Sequence, residues 1–422
     1  MEYIFITSFL LGIAYFLYMN RVTIFLFFFL CLAIYFMPLF FGFVNEPIGR
    51  FVEQRAIVEP LYIFAIFLFI LCVIFDLLLK VIKSNFERRS KVTTHKNVTE
   101  NHNNLCVFTF IVCFSFAMQL IDGGSALFSA VKADVLEASS RWTILSVISS
   151  MLAICYSLQV KTDKNNKLIN ILLVASLISL IFNIYIGHRS NSAILFLAVS
   201  YMYLDNKSIK SILKLYRYRL IAFLFLGLFF FVYKYLYIAI KLGDWDLVFS
   251  KLTSEGFFSQ VFMYSEPFVT QGIFNGVLRE NFITECTNMI FSPFLVIPGT
   301  EMLIDYSSCK YNTQLQNFLY TSVDYGVGSN LWAEFYSLSG FLSLYSMTIF
   351  YFFIVLLTAL ILGNINSPLL KSVIFILIAY MCFYANRKDL FLLLGIFKRV
   401  IYTALIVYFF SELIRFVKSV GR

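Results

Sequence analysis

The sequence predicts an all-α polytopic membrane protein of about eleven transmembrane helices, with one large external (periplasmic) loop containing short helices. Three observations predict it. The 422 residues are 60% hydrophobic and only 14% charged, with a mean hydropathy of +0.82, outside the range of soluble domains. Apolar runs of about 20 residues, the length that crosses a bilayer, recur along the chain. The runs are continuous rather than alternating with period two, which excludes barrel strands and leaves helices. The net charge of +9 would suggest nucleic acid on a soluble protein. Here it reads as the loop bias of an inserted one.

In chain order the spans fall at 3–19, 22–44, 60–82, 105–121, 143–160, 168–186, 190–204, 220–240, 336–362, 370–386 and 389–414. The first two are joined by a tight turn at Asn20–Arg21, and the seventh is short. Met1–Met19 lacks a basic leader and a small-residue cleavage site, so it reads as a span and not a cleaved signal peptide. Residues 1–240 thus form eight helices, 241–335 the periplasmic loop, and 336–422 three more helices of the same membrane domain. The stretch 83–104 reads as a flexible basic linker without a packing face.

Lys and Arg set the orientation. One set of alternate loops, from Arg21 to the C-terminal Arg422, holds nineteen positive charges. The short loops of the other set hold seven. The richer set is expected to be cytoplasmic, with the N-terminus and the 241–335 loop outside and the C-terminus inside. Six of the eight cysteines fall in apolar runs as small hydrophobes. Cys286 and Cys309 lie in the external loop, where an oxidising compartment permits one disulfide between them. Two free thiols are the alternative. No His and Cys cluster has metal-ligand spacing.

Charge retained at the outer interface marks candidate function. The turn Gly187-His188-Arg189-Ser190-Asn191-Ser192 combines a guanidinium with a helix start, a good anion site. Asn386-Arg387-Lys388 is a second minimal turn carrying two positives. Lys398-Arg399 lies about ten residues, roughly 15 Å of helical rise, into the last span. Glu334 sits where the loop re-enters the membrane, in Gly328-Ser329-Asn330-Leu331-Trp332-Ala333-Glu334-Phe335-Tyr336. A partly desolvated carboxylate there suits a general base, or it pairs with Arg189 or Arg387. Within the loop, 246–278 reads as helical, with Pro267 kinking or ending a helix. The Tyr-, Asn- and Gln-rich stretch to 327 offers Tyr311, Asn312 and Tyr325, with Trp332 beyond, as sugar-binding side chains, or else caps the membrane domain.

These patches in this order resemble the Wzy-type O-antigen and oligosaccharide repeat-unit polymerases. The likeness rests on the Gly187-His188-Arg189 turn followed by Ser192–Phe196, the span–span–large-loop order, the Ser329–Tyr336 motif with Gly340, and the late Arg387. It covers most of the chain in layout and only these patches in residues. The resemblance implies metal-independent glycosyl transfer, without a cofactor, at the periplasmic face of a bacterial inner membrane. Undecaprenyl-diphosphate-linked oligosaccharide would be donor and acceptor, and the growing glycan would pass to the terminal sugar of a new unit. Arg189 and Arg387, with Lys388, Arg279 and Arg399, would hold the diphosphate. Glu334 would be the base, with His188 or Arg279 in reserve. Partners would be membrane lipid and a chain-length regulator protein, with no nucleic acid. An O-antigen ligase shares the plan but relies on a loop histidine, and residues 241–335 contain none. A lipid-linked oligosaccharide flippase would carry internal repeats and midplane charge, whereas no repeat between the halves is visible and most charge sits at the outer interface.

Overall fold

The computed structural model describes residues 1–48, 51–87, 98–129, 135, 141–160, 166–188, 190–257, 260–261, 265–284, 294, 296–297, 300, 311–318 and 330–420. The described residues form α1 Glu2–Met19, α2 Ile24–Tyr35, α3 Glu59–Glu87, α4 Val98–Gly123, α5 Arg141–Val160, α6 Asn166–Tyr185, α7 Ser190–Leu204 and α8 Ile209–Leu242. Among the described residues short helices follow: α9 Trp245–Leu252, α10 Glu266–Arg279, α11 Tyr311–Phe318 and α12 Leu331–Ser339. The chain then forms α13 Phe341–Asn364, α14 Pro368–Tyr384 and α15 Leu390–Val420. Among the described residues seven helices are long and apolar enough to cross a membrane, and three shorter apolar helices (α2, α7 and α14) accompany them.

One continuous apolar core runs from α1 to α15 and takes in α10 to α12. At its centre is α14, which packs against α2, α5, α7, α13 and α15 and is buried at most positions. Ser146 and Ser179 share a hydrogen bond of 2.8 Å between α5 and α6, and Gln119 donates to Asn183 at 3.2 Å between α4 and α6. Inside an apolar bundle such pairs satisfy polar groups that lipid would leave unmet.

At one end of the bundle the α1–α2 turn interlocks with the α7–α8 turn. Val22 N–H donates to Lys207 O at 3.0 Å, Asn206 N–H donates to Val22 O at 2.9 Å, and Lys210 N–H donates to Asn20 Oδ1 at 2.9 Å. Beside it Asp76 of α3 is buried and accepts from Tyr15 at 2.8 Å and Thr23 at 2.5 Å.

The structure departs from expectation in four places. The second span is shorter than 22–44: α2 stops at Tyr35, a 3-10 turn with Pro38 follows, and β1 Phe43–Ile48 pairs antiparallel with β2 Phe51–Ala56. Pro38 ends the helix because it lacks a donor and restricts the residue before it. The expected linker at 83–104 is helical at both described ends, where Asn104 is buried and donates to Tyr156 at 3.1 Å. Pro267 starts α10 rather than breaking a helix, since an N-terminal position needs no proline N–H. Glu334 belongs to a separate helix, α12, which Gly340 closes at φ 69° before α13 begins, so 336–362 is not one span.

Candidate functional site

The end of the bundle opposite the α1–α2 turn collects the β-hairpin, α10, α12, the 385–389 turn and the start of α7. α10 binds the hairpin along one face, through residues three and four apart. A Cβ on Gly272 would lie 1.9 Å from the Asn45 carbonyl oxygen, so only glycine permits this approach. One turn on, Asn275 accepts from Val58 N–H at 2.8 Å and donates to Glu46 at 2.7 Å and to Ala56 O at 3.1 Å. Another turn on, Arg279 pairs with Glu46 at 2.6 Å and Glu280 at 2.9 Å.

α12 is capped by Asn330, whose Oδ1 accepts from Ala333 N–H at 2.6 Å while its Nδ2 donates to Thr270 O at 3.1 Å. Three bonds tie this helix to the turn between α14 and α15. Leu331 N–H donates to Ala385 O at 3.0 Å, Trp332 Nε1 to Asn386 Oδ1 at 2.9 Å, and Leu390 N–H to Glu334 Oε2 at 2.5 Å. Asp389 caps α15 by accepting from Leu392 N–H at 2.7 Å. Two buried carboxylates thus share one helix start, where amide donors and the helix dipole favour negative charge. Burial, with Asp389 adding to it, pushes the Glu334 carboxyl well above its usual range against the Leu390 N–H. Burial also raises Asp389, opposed by the Leu392 N–H and by Lys388.

On the other side of the same turn, Arg387 forms an ion pair through Nε with Glu266 at the start of α10. Its guanidinium also lies 5.7 Å from the centre of the Tyr384 ring. Tyr384 in turn donates to Ser190 at 2.9 Å, and Tyr380 donates to Asn191 at 3.4 Å. The turn before α7 therefore stands against the end of α14. Gly187 takes φ +107°, a conformation that favours glycine, and His188 N–H donates to Asn183 O at 2.8 Å.

Of the residues singled out from sequence, the structure brings together Glu334, Arg387, Lys388 and the His188 turn. Arg189, Tyr325, Cys286 and Cys309, and the side chain of Asn312, lie outside the described residues. Glu334 pairs with a helix amide rather than with Arg387, whose partner is Glu266. Tyr311 and Trp332 belong to the core and present no ring to a sugar, with Tyr311 sharing a 3.4 Å hydrogen bond with Ser337. Arg279 braces the hairpin instead of standing free for a phosphate. Arg399 is exposed along α15, within electrostatic range of the Tyr380 hydroxyl. Sequence reasoning missed Glu266, Glu46 and Asp389. The last was legible as an N-cap residue before an apolar run. The described residues hold no group of three or more His, Cys, Asp or Glu fit for a metal ion. No family model, curated protein or solved structure matches this chain.

Proposed function

We propose that the protein is a polytopic glycosyltransferase of the bacterial inner membrane. It polymerises undecaprenyl-diphosphate-linked oligosaccharide repeat units at the periplasmic face. The observation that carries this reading is the convergence at one bundle end of two minimal turns, 187–190 and 385–389, through the Tyr384–Ser190 hydrogen bond. That contact sets a partly exposed Arg387 beside the start of α7, next to apolar helices that suit a polyprenyl chain. A leaving diphosphate needs fixed positive charge where its negative charge develops, and Arg387 supplies it.

In the reaction the acceptor hydroxyl oxygen forms a bond to the anomeric carbon of the growing glycan. The bond from that carbon to the diphosphate breaks, and its electron pair leaves on the diphosphate. The hydroxyl proton passes to His188, half-buried on the 187–190 turn. Glu334, only 2% exposed, is the positioning residue that fixes the Arg387 turn against α12. The orientation of the site rests on the nineteen-to-seven Lys and Arg asymmetry of the loops.

Glycan chain length in cells with an otherwise intact pathway tests the reading. Arg387→Ala and His188→Gln are expected to leave a single repeat unit on the core. Loss of a ligase would leave none, and loss of a flippase would trap units on the inner leaflet. Full-length chains from both variants would overturn the assignment.

A further inference from the structure

The start of α10 is a helix N-terminus without a side-chain cap. Ser265 occupies the cap position, yet its hydroxyl makes no bond to the first turn. That hydroxyl is buried, with the residue 1% exposed, and has no hydrogen-bond partner. A buried hydroxyl left unpaired is unfavourable, so its place at the start of α10 calls for a ligand. The adjoining Glu266 carboxylate rests on Arg387. Tyr35 lies within electrostatic range of both charges, and Lys388 follows Arg387 in the turn. Carboxylate and phosphate oxygens serve the Arg387 guanidinium by the same geometry. The side chains of Arg387 and Glu266 are 25% and 28% exposed, so an anion from outside reaches the pair.

We propose that Glu266 is a displaceable counter-ion, occupying in the free protein a seat that a phosphate or diphosphate group takes over on Arg387, with the Ser265 hydroxyl as its further donor. The proposal rests on the diphosphate reading of Arg387 and adds Ser265 and Glu266 to it. Exchange at this seat also releases the first residue of the helix that braces the β-hairpin.

The test is calorimetric titration of the full chain in lipid nanodiscs with inorganic pyrophosphate and, separately, with a short-chain polyprenyl diphosphate. Glu266→Gln removes the competing charge and is expected to tighten binding of the responding probe about tenfold, or about 1.4 kcal/mol. Ser265→Ala is expected to weaken it about fivefold, and Arg387→Gln to abolish it, with Arg387→Lys as the substitute if that variant does not fold. A response to both probes identifies a general phosphate seat, and a response to the polyprenyl probe alone identifies a lipid headgroup seat. Equal or weaker binding by Glu266→Gln, or silence from both probes, overturns the proposal. The titration contains no acceptor sugar, so its outcome is separate from polymer length. A seat that behaves as stated in a protein whose Arg387→Ala and His188→Gln variants still make full-length chains would sink only the polymerase reading.

Discussion

Gly272 is the residue on which the packing of α10 against the hairpin depends most closely. Any side chain there drives a carbon into the Asn45 carbonyl, which backbone cannot yield without moving β1 off α10. Gly272→Ala is expected to destabilise the protein by roughly 1–3 kcal/mol, read as a lower melting temperature in detergent. Gly363, which has open space around a Cβ, serves as the silent control. The Glu334 and Asp389 carboxyls make a second prediction. Both are raised in the folded protein, so above the ordinary carboxylate range the folded form holds protons that the unfolded chain releases. Stability is therefore greatest at the low end of that window and falls as pH rises towards the folded values. Glu334→Gln with Asp389→Asn is expected to flatten the fall, asparagine keeping the α15 cap. A melting temperature that falls equally with pH in parent and double variant would refute it. The sequence marked Glu334 because a carboxylate beside a membrane is conspicuous. It could not show its partner, since the Leu390 amide carries no side-chain signature.

At the level of elements, apolar length was the legible signal. Every predicted span overlaps a helix, because continuous apolar runs in lipid have few other solutions, but 22–44 passes into a 3-10 turn and β1, and 336–362 is split between α12 and α13. The hairpin was invisible for the opposite reason. Its strands alternate too briefly to register, and they are held by Asn275 and Arg279 more than two hundred residues away. Asn275→Ala removes the acceptor for Val58 N–H and the donor to Glu46 together. It is expected to expose the hairpin to limited proteolysis while leaving the helical circular dichroism intact. Protease resistance equal to that of the parent would contradict the brace. The sugar-facing expectation for Tyr311 and Trp332 failed because composition registers aromatic content but not which way a short helix faces. Both rings pack inward, and Trp332 turns its N–H to Asn386.

For the molecule as a whole, the described turns between helices gather at two ends. The 20–23 and 205–210 turns meet at one end, and the hairpin, α10, α12 and the 385–389 turn meet at the other. Cysteines introduced at Ser84 and Ser250, in a background without the exposed thiols Cys106 and Cys113 and without Cys286 and Cys309, test the orientation. Ser250→Cys is expected to react with an impermeant maleimide in intact spheroplasts, and Ser84→Cys only after lysis. The reverse pattern would place the site on the cytoplasmic face. The interlock of the first turn with the seventh has a consequence for biogenesis. Asn20 and Val22 wait for Asn206 to Lys210 before their backbone groups are satisfied. At about 5–20 residues per second of synthesis, the first helical pair spends roughly 10–40 s in the membrane with that turn unmatched. The N-terminal pair is then a provisional insertion that becomes fixed only when the α7–α8 turn arrives, and a chain truncated before residue 205 is expected to be cleared by membrane proteases.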